Sequence, residues 1–405
     1  MIGAALLLAL LTANSLPTAD EALGASAALG GADLMFMSNP DGDWPVRVML
    51  ASSVSASADK VQQVIRDPAS YATAMPSFKR VQVVSQRERE PGIIDTEVAW
   101  EMEIPLRNLK GKLWLRPQPS GVDLALSDGD FAPGLLQLRA RTDQGNSKQS
   151  PCLLTVEGSV NMRDINWATR KLVARSGLAE PAITAAAVFV IAKSLAGLSE
   201  GNAAVRPSAA LSAPQLSTLD SASLGTVFAS MVRNHGVWAT IHSRADGRLA
   251  SVKVAIAVAA PVERAQRHSL RPATFGALPG WKKVALATDK APPDECKDLS
   301  TLCWSVDNNL PVVSLGGTWK IWPRPWRARM VTGDTRGAVM GIHLLSAASA
   351  AESVVVLSQQ PRLDKAGFVA RKLIDAEPFL EHGLALALTL MDAVALASAL
   401  AQGNP

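Results

Sequence analysis

The stretch Val54-Ser-Ala-Ser-Ala-Asp-Lys-Val-Gln-Gln63, with Asp67-Pro-Ala-Ser-Tyr71 and Met75-Pro-Ser-Phe-Lys-Arg-Val81 after it, is written twice in this chain. Its second version reads Val258-Ala-Ala-Pro-Val-Glu-Arg-Ala-Gln-Arg267, then Arg271-Pro-Ala-Thr-Phe275, then Leu278-Pro-Gly-Trp-Lys-Lys-Val284. Val54 and Val258, Pro68 and Pro272, Trp100 and Trp304, and Asp130 and Asp334 all stand 204 positions apart. Nearer the carboxy end, Ala168-Thr-Arg-Lys-Leu172 returns as Val369-Ala-Arg-Lys-Leu373 at a separation of 201. Chance likeness does not hold one register over such a span, so the chain reads as a tandem duplication. We expect one domain over 44–200 and a second over 223–402. The join, 201–222, is rich in Ala, Ser and Pro and lacks hydrophobic periodicity, the mark of a linker.

Within the first unit the order of elements is legible. Val46–Val54 alternates and runs into Ser57 and Asp59, which signal a helix over 58–66. Pro68 opens a second short helix that Pro76 ends. In Ile94–Ile104, Val98, Trp100, Met102 and Ile104 share one parity while Glu97, Glu101 and Glu103 share the other. That is period 2 with one wet face, an antiparallel strand. Leu113 and Leu115, then Val122, Leu124 and Leu126, then Leu136 and Leu138, then Leu154 and Val156 repeat it. Residues 180–198 are apolar almost all round, as in a helix buried on more than one side. A sheet with one apolar face must be covered, and the long helix is the element available to cover it. The expected fold is α+β: two helix-grip domains, each a curved antiparallel sheet wrapped around a long carboxy-terminal helix, with a cavity between them.

The Val54–Val61 stretch, Asp67-Pro-Ala-Ser-Tyr71 leading into Met75-Pro-Ser-Phe-Lys-Arg-Val81, and the sheet and final helix after them resemble the START/polyketide cyclase superfamily, SRPBCC. The resemblance covers most of the first unit and, more loosely, the second, where Arg271 replaces the acidic residue before Pro272. Members of that superfamily bind sterols, phospholipids, quinones, polyketides or plant hormones, and a minority are cyclases or aromatases. The resemblance therefore implies binding or transport of an apolar small molecule such as a sterol, fatty acid, phospholipid or isoprenoid. The alternative it leaves open is a two-domain polyketide aromatase/cyclase.

The inward strand positions choose between these. Val98, Trp100, Met102, Leu113, Leu124, Leu126 and Leu136, with Val188 and Ile191 on the long helix, are the expected ligand-binding residues of the first unit. Their counterparts in the second are Trp304, Val306, Trp319, Met330, Met340 and Leu388. None titrates, so an acid or base that could carry catalysis is missing from these positions. The expectation is a container without catalytic residues or cofactor. The five histidines, His235, His242, His268, His343 and His382, show no metal-ligand spacing.

Length and composition agree with two domains. The 405 residues are 48% hydrophobic and 19% charged, enough to fill sizeable cores. Forty Lys and Arg against 36 Asp and Glu leave a net charge of +4, which points to no nucleic-acid stripe. Ile2–Leu11 is an apolar run of signal-peptide length, so residues 1–19 are expected to direct export to the periplasm or outside the cell, although no Lys or Arg precedes Arg47. Cys296 and Cys303 flank a short polar segment and would bridge in an oxidising compartment, while Cys152 reads as a small buried hydrophobe. At an expected hairpin tip, Trp322, Arg324, Trp326 and Arg327 combine indole rings with guanidinium groups, a composition suited to transient contact with an anionic membrane.

Overall fold

The computed structural model describes residues 16–29, 31–38, 47–104, 107–142, 152–161, 179–201, 222–244, 247–276, 278, 281–286, 302–308, 317–323, 326–333, 335–347, 349–362, 374, 377 and 379–402. The first half runs α1 (Ala19–Ala28), β1 (Asp33–Ser38), β2 (Arg47–Val54), α2 (Ala58–Arg66), α3 (Pro68–Ala74), β3 (Phe78–Glu90), β4 (Ile93–Ile104), β5 (Arg107–Gln118), β6 (Gly121–Gly129), β7 (Phe131–Thr142), β8 (Cys152–Asn161) and α4 (Ala179–Ser199). The second half repeats the order: α5 (Ala222–His235), β9 (Val237–Ser243), β10 (Leu249–Val258), α6 (Val262–Ser269), α7 (Pro272–Phe275), β11 (Trp281–Leu286), β12 (Leu302–Asn308), β13 (Gly317–Pro323), β14 (Trp326–Gly333), β15 (Val339–Ser346), β16 (Ser353–Gln360) and α8 (Leu380–Gln402).

The short helices form where their caps allow. Ser57 accepts a bond from Lys60 N at the start of α2, and Ala58, Val61, Val64 and Ile65 are buried on one stripe. Asp67 caps α3 by accepting from Ala69 N at 3.0 Å, with Pro68 in the first turn where its missing N–H costs nothing. Their counterparts α6 and α7 begin at Pro261 and Arg271 without a side-chain cap, and α7 is only four residues long. α7 starts at the proline equivalent to that of α3 and ends sooner, where Gly276, a poorer helix former, stands in the place of Ala72.

The sixteen strands among the described residues form one antiparallel sheet, ordered β11-β12-β13-β14-β15-β16-β10-β9-β1-β2-β8-β7-β6-β5-β4-β3. Each half contributes eight strands in mirrored order, and the halves join where β1 pairs antiparallel with β9, Met35 opposite Ala239. Two separate sheets were expected; they are one, because β1 and β9 add a strand at the inner edge of each half. β1 lies ahead of residue 44, and every one of its residues is buried. Met35 and Met37 join the main core, while Leu34 and Phe36 face a second core with residues of α1 and α5, including Ala22, Phe228 and Met231.

The long helices α4 and α8 cover the other face and pack against each other. A Cβ built on Gly383 would lie 3.1 Å from Ala186 O, so glycine permits that close approach. Both helices are long and apolar enough to cross a membrane by length and composition, yet most of each apolar stretch is buried within the protein. Lys193 on α4 reaches Asp33 at 3.2 Å and Ser52 Oγ at 3.2 Å, tying the helix to β1 and β2.

Candidate ligand cavity

Between the first half's sheet and its helices lies a cavity of about 350 Å³, within the range of roughly 300–1,000 Å³ usual for small-molecule sites. Its sheet wall comes from alternate residues of successive strands. Val98 faces Leu113 across β4 and β5, and Leu124 faces Leu115 and Leu136 across β5, β6 and β7. Ile183, Ala187 and Ile191, spaced four apart on α4, supply the helix wall. Leu380, Leu384 and Ala387 of α8 also line it, so the second half closes the first half's cavity.

Trp100 sits centrally. Its indole lies against Gly111 on the neighbouring strand, where a Cβ would come within 2.9 Å of Cζ2. Phe131 stacks on it with ring centroids 6.0 Å apart, and Phe78 meets it edge-on at 6.1 Å. Phe131 holds φ at +72°, a conformation that side-chain-bearing residues adopt at a cost of ~1–3 kcal/mol, and it borders the cavity. Trp100 Nε1 is buried and has no hydrogen-bond partner among the described residues.

All nine residues expected to line the first cavity, Val98, Trp100, Met102, Leu113, Leu124, Leu126, Leu136, Val188 and Ile191, border it. Sequence reasoning missed its acidic member. Glu377, from the segment just ahead of α8, enters the lining and is 5% exposed. Its Oε2 accepts from Ser77 Oγ at 2.8 Å and from Ser77 N at 3.4 Å, and its Oε1 from Ser194 Oγ at 3.4 Å. Burial pushes its pKa above the usual carboxylate value, against the opposing pull of these hydrogen bonds. Glu103 stands at the rim, paired with Lys79 at 3.0 Å. An entirely apolar lining was expected; a carboxyl group from the other half corrects that.

In the second half the corresponding interior holds a cluster of rings. Phe275 packs against Trp281, Trp304 and Trp326 with centroids 5.8, 4.9 and 5.3 Å apart, and Trp281 stacks on Trp319 at 5.9 Å. Val306, Met330 and Met340 are buried in the same core, and Leu388 on α8 is half-buried. Asp392, one turn beyond Leu388, accepts from Gln359 Nε2 at 2.8 Å, and burial raises its pKa to about 7.

The hairpin of β13 and β14 differs from expectation. Trp326 is not exposed: it is 7% exposed, stacked on Phe275, and donates from Nε1 to Ser269 O at 2.8 Å. It shares strand parity with the inward Ala328 and Met330, which pulls the ring into the core. Trp322 is half-buried beneath Lys320 and Arg327, 5.4 and 5.3 Å from its ring centre, and Arg324 lies outside the described residues. Cys303 is disulfide-bonded and Cys152 is a buried free thiol whose pKa burial raises to about 11. Cys296, Asp334 and the apolar run Ile2–Leu11 lie outside the described residues. Asp130 accepts from Lys110 N at 2.9 Å beside the turn that leads into β7, as a turn carboxylate does.

No family model and no curated protein matches this chain. Among solved structures it is similar to a START superfamily protein from Mycobacterium smegmatis, at 18% identity and a TM-score of 0.27, over 38% of this chain and 97% of that one. It is similar to the Zhui aromatase/cyclase from Streptomyces sp. R1128, at 15% identity and a TM-score of 0.28, over 38% of this chain and 93% of the other. The di-domain ARO/CYC StfQ from the steffimycin biosynthetic pathway aligns over 87% of this chain and 98% of its own length, at 10% identity and a TM-score of 0.26.

Proposed function

We propose that this protein binds and carries an apolar small molecule in the cavity of its first half, and that each half is a helix-grip unit. The observation that carries the reading is the partly enclosed, almost wholly apolar space between β4–β7 and α4. Side chains of this size normally fill a protein core to crystal-like density, so a void of this volume forgoes contacts unless a ligand supplies them. Burial of an aliphatic ligand would contribute ~0.8 kcal/mol per methylene removed from water. Titration of the full chain with the neutral dye N-phenyl-1-naphthylamine tests it. Saturable fluorescence enhancement, displaced by long-chain lipids, is expected; an unsaturable response would end the reading.

A second reading, a polyketide aromatase/cyclase, draws on Glu377, a carboxyl group facing the cavity that could act as general acid or base. It requires turnover that Glu377→Gln abolishes while dye binding persists. Export is supported by the disulfide at Cys303, since such bonds persist in oxidising compartments. Membrane contact, if made through this hairpin, rests on Trp322 with Lys320 and Arg327. Flotation with anionic liposomes that Trp322→Ala leaves unchanged would remove it.

A further inference from the structure

The polar groups around the first cavity fall into two sets. Tyr71 and Thr184 are satisfied within the protein: Tyr71 Oη donates to Ile65 O at 2.8 Å, and Thr184 Oγ1 to Glu180 O at 2.9 Å. Glu377 and Trp100 are not. A carboxylate offers about four acceptor positions. Of the three bonds that Glu377 receives among the described residues, only that from Ser77 Oγ at 2.8 Å has ordinary length; the other two are 3.4 Å. No ion pair reaches Glu377 among the described residues, although it is 95% buried. Trp100 Nε1, an N–H donor lining the same cavity, has no acceptor among the described residues. Phe78 pairs with Met102, Val81 with Trp100, and Glu103 N donates to Ser77 O at 2.7 Å, so Ser77 and the carboxyl group it holds lie one residue past Met102, about 10 Å along the strand from Trp100.

A buried carboxylate without a cation is costly unless something donates to it. Glu377 is a residue of the second half that serves a cavity walled chiefly by the first.

Resting on the reading of this cavity as a ligand site, we propose that Glu377 is its head-group anchor, selecting apolar ligands that end in a hydrogen-bond donor, hydroxyl or ammonium, over those that end in a carboxylate. The ligand's donor takes the free positions of the Glu377 carboxyl group, its apolar body lies along Met102, Leu113 and Leu126, and an oxygen further along accepts from Trp100 Nε1. A fatty-acid anion would set like charges together in a site of low dielectric, where neither is solvated.

The test uses the full chain at pH 8 with 1-dodecanol, dodecylamine and dodecanoate as competitors of N-phenyl-1-naphthylamine. Wild type should bind the alcohol and the amine at least about tenfold more tightly than the acid. Glu377→Gln should bring the alcohol-to-acid ratio below about threefold, mainly by improving the acid, and should weaken the amine. Ser77→Ala should shift the ratio the same way by less, because it removes the one bond of ordinary length that fixes the carboxyl group. Dye binding by both variants shows that the cavity persists. If it does and the ratio stays as in wild type, Glu377 is only a tie between the halves and the proposal is overturned. If wild type binds neither dye nor any dodecyl compound, the container reading itself falls and takes the anchor with it.

Discussion

Ala187→Phe turns the cavity into a question of sign. Ala187 faces the void from the middle of α4, with Ile183 and Ile191 one turn to either side. In a close-packed core, six added carbons would force neighbours off their rotamers at ~1–3 kcal/mol. In a cavity of about 350 Å³ the ring has room. Burying a phenyl side chain contributes ~1.5–3 kcal/mol. Lost rotamer freedom and the poorer helix propensity of Phe together offset roughly 1 kcal/mol of that. The ligand-free protein should therefore become more stable by about 1 kcal/mol, read as a higher urea midpoint at unchanged slope. The same variant should lose binding of N-phenyl-1-naphthylamine, since ring and dye compete for one volume. A lower midpoint with dye binding intact would show that the space beside Ala187 is not where ligand sits.

Asp33→Ala should cost about 2–3 kcal/mol, because it leaves Lys193, whose side chain is 20% exposed, beside β1 without its carboxylate; a shift in the urea midpoint worth under ~0.5 kcal/mol would place that pair among the neutral surface ones. Gly111→Val puts a Cβ 2.5 Å from Asp128 O and 2.9 Å from the Trp100 ring, so it should destabilise by at least ~1–3 kcal/mol and weaken the dye, whereas wild-type values for both would mean the indole does not lie on β5. Two buried groups on α8 give opposite pH dependences. Asp392, raised to about 7 from 3.8, holds its proton more tightly when folded, so its contribution to stability falls as pH rises from about 4 to about 7. His382, lowered to about 3 from 6.5, refuses a proton when folded, and its contribution is lost as pH falls below about 6.5. Relative to wild type, Asp392→Asn should gain up to ~1.4 kcal/mol per pH unit between about pH 5 and 7 and His382→Gln should gain on acidification, and flat difference curves from urea midpoints across that range would refute both assignments.

What the sequence disclosed followed from period and register. The 204-residue offset carries α2 onto α6, α3 onto α7, and Trp100 on β4 onto Trp304 on β12. Strand alternation was enough to name the first cavity's wall, since a half-buried antiparallel strand sends every second side chain inward. β1 escaped that logic because Asp33-Leu-Met-Phe-Met-Ser38 is buried on both faces, and a short apolar run without alternation does not distinguish strand from buried helix. Trp326 was misplaced although its parity with Ala328 and Met330 pointed inward; the nearby arginines drew attention to composition instead of phase. Glu377 carried no local signal at all. It meets Ser77 across 300 residues of sequence, beside the contact that α8 of one half makes with α4 of the other. The ring cluster around Phe275 is intermediate: its tryptophans are visible in the sequence, but their convergence depends on the packing of α7 against β11.

Native mass spectrometry of the full chain, purified without detergent and then incubated with a long-chain alcohol, tests the container directly. The account predicts a species heavier than the bare chain by one ligand, from the purified protein itself or after incubation, released on collisional activation and absent from Ala187→Phe. A wild-type spectrum showing only the bare chain after incubation, at alcohol concentrations that saturate other carriers of aliphatic ligands, would contradict it.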